Sequence, residues 1–469
     1  MKKLVVGFVL MAMSASAARV EVCPQVFDAC GWKLDVQFMD VMGSPYLLAH
    51  GCGIRVTDAK ATVRIPEPGT WRVWVRSRQW VKGAGAFKVS VGGQTLAKTF
   101  GVSQSVWAWE DGGAVTLEKG AAPIRLIDQD GFDGRCAGVV LVNDGTRPEG
   151  ALSPAEQPVA EVVTADFVVV GGGLPGTCAA VAAARRGLKV ALVQDRPVLG
   201  GNGSAEIRVW SGGEARYPLV AELRGQFRNM GYENAFSDAD RQAKLEREPN
   251  LTLFLSHRAF GVEKEGERIA AVKALDLAAN RVVRFRAPYF CDTTGDGWVG
   301  FWAGAEWRYG REGRDETGEK YAPAKGDCQT LGSSIMWESS DATIDSPFSA
   351  PWAEPYACGK SCVAGDWNWE FGLRQNLFTE GEAVRDRVLL AIYGAFSNAK
   401  KEPKNAFRRL TTCPFILGKR ESRRLMGDHI FCERDVTEKT PFDDAVASGS
   451  WSIDLHYTID EKVPFLTPC

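Results

Sequence analysis

From about Val20 to Asp144 apolar and polar residues alternate with a period of two, in short runs separated by turn residues. Trp71-Arg72-Val73-Trp74-Val75-Arg76 and Phe87-Lys88-Val89-Ser90-Val91 each place every second side chain on one face, the pattern of half-buried strands. Gly92-Gly93 after the second run predicts a hairpin turn. Pro66, Pro68-Gly69 and Gly112-Gly113 predict further turns, and residues 114–117, 124–127 and 139–142 further strands. Short, regular strands with no helical period predict a β-sandwich over residues 19–148. Six of the 15 tryptophans lie in it: Trp32, Trp71, Trp74, Trp80, Trp107 and Trp109. They fill its core or present faces on which sugar rings stack. Residues 149–161, within a stretch carrying Pro148, Pro154 and Pro158, read as a linker.

The period then changes. Residues 165–170 are a β-branched run leading into Gly171-Gly172-Gly173-Leu174-Pro175-Gly176. An alanine-rich helix follows over 177–186, Gly187 ends it, and residues 189–193 form a second strand. G-x-G-x-x-G between strand and helix is the dinucleotide-binding arrangement. Gly171 permits the tight turn, Gly173 lets backbone approach a pyrophosphate, and Gly176 lets helix and strand pack closely. The helix N-terminus offers its N–H groups to the phosphates. Where an acid usually meets the ribose stands Gln194, which both donates and accepts, with Asp195 and Arg196 after it. Arg196 alone would suit a 2′-phosphate, hence NADP. Gly200-Gly201-Asn202 directly after the second strand instead suits the extended pyrophosphate and ribityl chain of FAD. Residues 289–297 are a further strand ending in a small-residue turn, Thr294-Gly295-Asp296, on the phosphate side. Between these segments, residues 251–255 and 269–275 read as an added β-layer, with a turn at 259–262 that offers Ala259 to the adenine. The expected fold is a Rossmann-like α/β domain over 162–469 behind the all-β region, with an aromatic cap over about 310–410. In that cap Trp337, Trp352, Trp367 and Trp369 are spread out, and residues 383–393 read as helix.

Composition narrows the partners. Lys plus Arg total 56 and Asp plus Glu 58, a net charge of −2, so no basic surface field is expected to gather nucleic acid. Glycine, 50 of 469 residues, exceeds the usual ~7%. The four histidines are scattered, and no metal centre is expected. Met1-Lys2-Lys3, an apolar run over 4–13 and Ala15-Ser16-Ala17 read as a secretory signal peptide over 1–17, which places the mature chain in the periplasm or outside the cell. No later run is long enough to span a membrane. Export permits disulfides among the 12 cysteines. Cys23 with Cys30 and Cys52 with Cys136 are candidate pairs, Cys358 with Cys362 a local one, and Cys178 and Cys291 read as core residues.

Candidate chemistry is sparser. Glu206 and Arg208 follow the Gly-Gly loop, and Arg208 is counted with the cofactor-binding residues. Lys419-Arg420-Glu421-Ser422-Arg423-Arg424 opens a helix-like stretch as a substrate clamp or a solvated face. His257 and His456 are candidate general bases or structural histidines. No residue is assigned a catalytic role.

At Val190 to Asn202, Thr294-Gly295-Asp296-Gly297, Ala303-Gly304-Ala305-Glu306, Gly418 to Arg424 and Gly427-Asp428 the chain resembles the FAD-dependent oxidoreductases found among secreted and carbohydrate-associated bacterial proteins. The resemblance covers about Asp166 to Tyr457, and residues 42–51 and 131–136 resemble the β-sandwich that precedes such domains in some members. It implies FAD as cofactor and hydride transfer from a carbohydrate-like or other small polar substrate. Such proteins return to the FAD domain with a strand, a glycine-rich turn and a helix. Nothing after Asp296 shows that pattern, so this wall is expected to be missing or otherwise supplied. Two rival readings stay open: an exported glycan-binding protein with an inert FAD half, and an NAD(P)-dependent dehydrogenase.

Overall fold

The computed structural model describes residues 18–209, 217–224, 238–365 and 369–447. The expected signal peptide, Trp367 and His456 lie outside them. Among the described residues no helix is long and apolar enough to cross a membrane.

The alternating runs form two antiparallel sheets. One contains Arg19–Val22, Lys33–Asp35, Tyr46–His50, Gly69–Ser77, Ala108–Leu117 and Phe132–Val142, the other Ala59–Ile65, Phe87–Val91, Gln94–Thr95 and Gly120–Asp128. Their inward residues, among them Trp32, Trp71, Phe87 and Ile124, share one buried cluster. Gly92 and Gly93 join Phe87–Val91 to Gln94–Thr95 at φ of 58° and 82°, as a two-residue hairpin of matching twist requires. Gly112-Gly113 is not a turn. It lies inside Ala108–Leu117, where pairing with Gly69–Ser77 shifts register, and Gly113 at φ 93° absorbs the extra residue of a bulge. Trp32, Trp71, Trp80 and Trp109 are buried, and Trp74 and Trp107 are half-buried. The Arg147 guanidinium covers Trp74, and Trp107 Nε1 donates to Glu382 at 3.1 Å. Four of these six tryptophans therefore pack in the interior, and the other two are partly covered.

The dinucleotide half has a parallel sheet in the order Leu251–Phe254, Val190–Val193, Phe167–Val170, Tyr289–Asp292. Residues 251–254, expected in an added layer, extend this main sheet, with Leu251 opposite Val190. Their near-continuous apolar run suits a strand covered on both faces. On one face Val169, Val190 and Leu192 meet Ala180, Val181 and Ala184 of the helix Leu174–Arg185. On the other, Val168, Val170 and Ala191 meet Val272, Val283 and Phe285 of a second sheet. That sheet runs Val159–Thr164, Arg281–Arg286, Arg268–Asp276, His257–Glu265, so the end of the expected linker is itself a strand. The expected turn at 259–262 is likewise part of a strand, His257–Glu265, with a register shift between Ala259 and Gly261.

The long helix Gly381–Lys400 organises the cap region. Val388, Ile392, Tyr393 and Phe396 pack with Trp337, and also with Trp80 and Phe132 from the N-terminal sheets. A buried ionic network crosses the same seam. Arg135 donates to Glu382 (2.7 Å) and Asp386 (2.5 Å), and Arg385 donates to Asp35 (2.6 Å) and the Tyr46 hydroxyl (2.8 Å). Both guanidiniums are fully buried.

Every described cysteine is a free thiol, so none of the three candidate pairs is bonded. Cys136 donates instead to the Gly138 carbonyl, and Cys52 lies near His50 and Cys413.

Candidate dinucleotide-binding site

The strand Phe167–Val170 ends at Gly171, whose φ of 105° only glycine adopts readily. A Cβ there would stand 2.3 Å from the Thr293 carbonyl oxygen. Gly173 is the N-cap of Leu174–Arg185, and no side chain caps it. The first N–H groups of that helix therefore await an acceptor, and the helix dipole favours an anion there. Gly173 has an ordinary φ of −63°, and a Cβ on it would have no neighbour closer than 3.7 Å. Its small size thus keeps space open rather than relieving strain. Gly201 faces it: a Cβ on Gly201 would lie 3.1 Å from the Gly173 Cα. The two glycine loops are tied by the Gly200 N–H donating to the Gly172 carbonyl at 2.8 Å.

Gln194 is also committed to this loop. Its Oε1 accepts from the Gly172 N–H (2.7 Å) and its Nε2 donates to the Val198 carbonyl (3.0 Å). The expected ribose contact is corrected accordingly: the amide pins the glycine turn, and Asp195 stands next to it on the cleft wall. Gly176 packs rather than lines. A Cβ on it would fall 1.9 Å from the Gly171 carbonyl oxygen and 2.6 Å from Thr293 Oγ1. Two supports were not legible in the sequence. Thr293 Oγ1 donates to the Gly171 carbonyl at 2.7 Å, and buried Arg241 donates to the Leu199 carbonyl at 2.8 Å beneath the Gly-Gly loop.

At the second turn, Asp296 is almost wholly buried between Lys419, with which it pairs, and Ser422, whose hydroxyl donates at 2.6 Å. Burial alone would raise this carboxyl; the Lys419 ammonium and the Ser422 hydroxyl outweigh it and hold it below the usual carboxylate range. Arg423 donates to the Asp296 carbonyl at 3.2 Å, and its guanidinium lies 3.5 Å from the Phe378 ring centre, 4.0 Å from Phe301 and 4.1 Å from Trp298. The flanking charges are engaged too: Arg420 with Glu370 (2.7 Å), Arg424 with Glu312 (2.7 Å), and Glu421 with the Leu331 N–H (2.9 Å). The charge run is neither a helix nor a solvated face. It is extended chain whose members hold the second turn and the cap.

These loops enclose a cleft of about 440 Å³. Gly171, Gly173, Leu174, Pro175, Gln194, Asp195, Arg196, Gly200, Gly201, Asn202, Ala259, Thr294, Gly295 and Asp296 all stand on its walls. Of the residues expected at the cofactor, Gly176 and Arg208 do not. Arg208, at φ 72°, pairs with Glu338 at 3.0 Å, outside the cleft. Residues 416, 417 and 419–421 form a further wall, tied to the Gly-Gly loop by Asn202 Nδ2 donating to the Lys419 carbonyl at 2.8 Å. This segment closes one side of the cleft.

His257 also reaches the cleft. Its Nδ1 is 2.7 Å from the Leu255 carbonyl, and its ring packs edge-on to Phe254 and Phe285. Glu206 opens onto a neighbouring cavity and faces Arg196 at 3.4 Å. Burial pushes its carboxyl up to about 7, against the pull of the Arg196 guanidinium.

The residues present fit a dinucleotide. The Gly173 cradle is open and the helix behind it is uncapped, so an anionic ligand in the cleft would accept from its first N–H groups.

The sequence profile of the FAD dependent oxidoreductase family matches residues 166–465. Glycerol-3-phosphate dehydrogenase 2 of Mycobacterium tuberculosis (strain ATCC 25618 / H37Rv) is 40% identical over 94 residues, 19% of this chain and 16% of that protein. The glycerol-3-phosphate dehydrogenase of Mycobacterium leprae (strain TN) is 37% identical over 99 residues, 20% of this chain and 17% of that one. This chain thus spans about a sixth of the curated relatives it matches. Among solved structures, L-proline dehydrogenase from P. horikoshii overlaps 46% of this chain and 32% of its own at 18% identity and a TM-score of 0.24. A family 35 carbohydrate binding module from Clostridium thermocellum overlaps 26% of this chain and 97% of its own at 18% identity and a TM-score of 0.22.

Proposed function

The chain belongs to the FAD dependent oxidoreductase family, and from that premise we propose that it oxidises or dehydrogenates a small, polar, hydroxyl-rich substrate such as a carbohydrate derivative. The observation that carries this reading is the pair of glycine loops meeting at an uncapped helix N-terminus, with Gly173 opposite Gly201. FAD, when bound, supplies the two-electron chemistry by accepting a hydride at its ring.

The chain's own residues hold and orient. Gly173, Leu174 and Pro175 form the cradle for the phosphates. Asp195 and Arg196 offer an acceptor and donors to the sugar side of the cofactor. Lys419 and Ser422 hold Asp296 ionised, which fixes the second turn at the cleft wall. The far wall is lined by the polar side chains Lys419, Arg420 and Glu421, which supports a polar substrate. His257 is the base candidate at the cleft, with Nδ1 against a backbone carbonyl and Nε2 3.8 Å from Asp276.

The N-terminal sheets are read as a β-sandwich module, and the pattern of residues 1–17 as an export signal. The rival reading of a glycan-binding protein drew on the six N-terminal tryptophans, which are packed or half-covered. Anaerobic mixing of the FAD-loaded full chain with a panel of sugars, sugar acids and polyol phosphates tests the proposal. At least one hydroxyl-rich compound is expected to bleach the flavin. Bleaching only by amino acids or other amines would overturn the substrate class.

A further inference from the structure

Away from the dinucleotide cleft, the fold assembles a second cluster of soft donors from distant parts of the chain. His50 ends the strand Tyr46–His50, Cys52 follows two residues later, and Cys413 follows the strand Arg408–Thr412. One donor atom from each lies within 4.8 Å of the other two. Cys52 Sγ is 3.8 Å from His50 Nε2.

The surroundings orient the imidazole. His50 Nδ1 is 2.6 Å from Asp133 Oδ1, and Asp133 is fully buried. The other carboxylate oxygen of Asp133 accepts from the Tyr393 hydroxyl at 2.9 Å. A carboxylate on one ring nitrogen fixes the tautomer and raises the basicity of the other, the arrangement found behind metal-bound histidines. Here the other nitrogen, Nε2, is the one facing the thiols, and it now meets the Cys413 carbonyl at 2.5 Å. That carbonyl adds an oxygen donor beside the two sulfurs. His50 and Cys413 also line a cavity of about 720 Å³ between the N-terminal sheets and the dinucleotide fold, which gives an ion a path in.

We propose that His50, Cys52 and Cys413 bind one Zn²⁺ ion, with Asp133 and Tyr393 holding the His50 ring. Two thiolates and an imidazole are a ligand set for zinc and not for magnesium or calcium. On binding, the Nε2 proton and the thiol protons leave to solvent and no redox step is involved. The ion would clamp the first sheet to the segment that runs from Cys413 into the cleft wall at residues 416–421.

The test is zinc content of the full chain, purified without chelator, by elemental mass spectrometry. The expected result is one zinc per chain, lost in Cys52→Ser and retained in Cys30→Ser, whose thiol is exposed and outside the cluster. Asp133→Asn should weaken zinc affinity by about 10–100-fold in a chelator competition. Cobalt exchanged into the parent should give a thiolate-to-metal charge-transfer band that Cys413→Ser reduces. Circular dichroism of each variant separates loss of ligand from loss of fold. Three results would overturn the proposal: no zinc in chain whose Cys52 and Cys413 titrate as free thiols, equal zinc in folded Cys52→Ser, or a Cys52–Cys413 disulfide in peptide maps of the isolated chain.

Discussion

Two glycines three residues apart do different work, and single substitutions separate them. Gly173 has relaxed backbone and free space beyond it, so Gly173→Val should leave apo stability within about 0.5 kcal/mol of the parent while abolishing FAD retention. Gly176 has backbone where a side chain would go, so Gly176→Val should lower apo stability by about 1–3 kcal/mol or more. Urea unfolding and flavin titration of both variants check the contrast. The glycine spacing was legible in the sequence because it is local. The commitment of Gln194 to the loop was not, because it depends on where Gly172 and Val198 come to rest. Glu206 gives a pH signature. Its folded carboxyl titrates near 7 against an ordinary value of 4.5, so between these values the folded chain holds a proton that the unfolded chain has lost. Stability therefore falls as pH rises through this window, and the penalty is complete above it. Glu206→Gln should gain on the parent with rising pH, by about 3 kcal/mol at pH 8, in melting curves taken from pH 4.5 upward.

At the scale of elements, the surprises are the segments whose partners are remote. Residues 419–424 read locally as a charged helix. Lys419, Arg420 and Arg424 find Asp296, Glu370 and Glu312 instead, Glu421 accepts from the Leu331 N–H, and Arg423 is boxed by aromatic rings from two other segments. No periodicity reports such contacts. The strand at 251–254 was visible from its apolar run, but its neighbour was not, because an apolar strand fits an outer layer or a parallel core equally well. The helix Gly381–Lys400 was legible over 383–393 and runs on through Gly394, Ser397 and Asn398, poor helix formers that hide its last two turns in the sequence. Its Glu382, Arg385 and Asp386 meet Arg135 and Asp35 of the N-terminal sheets. Asp386→Ala would leave Arg135 and Arg385 short of a partner in the interior, and should cost about 3–5 kcal/mol in chemical unfolding. A loss below about 1 kcal/mol would mean the two guanidiniums are solvated there after all.

At the scale of the molecule, the expected boundary at residues 149–161 is crossed by packing. Val36 and Met39 share a cluster with Leu275 and Leu277, Arg258 pairs with Asp40, and Trp80 and Phe132 join the core of the cap region. The N-terminal sheets therefore brace both the dinucleotide fold and the long helix over it. Strands and the change of period were readable in the sequence, while the contacts between the sheets and the long helix depend on side chains hundreds of residues apart. The same holds for the cleft. Its glycine half follows from one short motif, but its far wall, residues 416–421, is held there by remote partners, Asn202 and Asp296 among them. With residues 416–421 on its far side, the cleft is expected to retain FAD. The visible absorbance of the purified full chain, incubated with FAD and then desalted, tests this. Stoichiometric flavin is expected to stay with the protein, with its bands shifted from those of free FAD. A folded chain that emerges colourless, with all flavin in the small-molecule fraction, would contradict it.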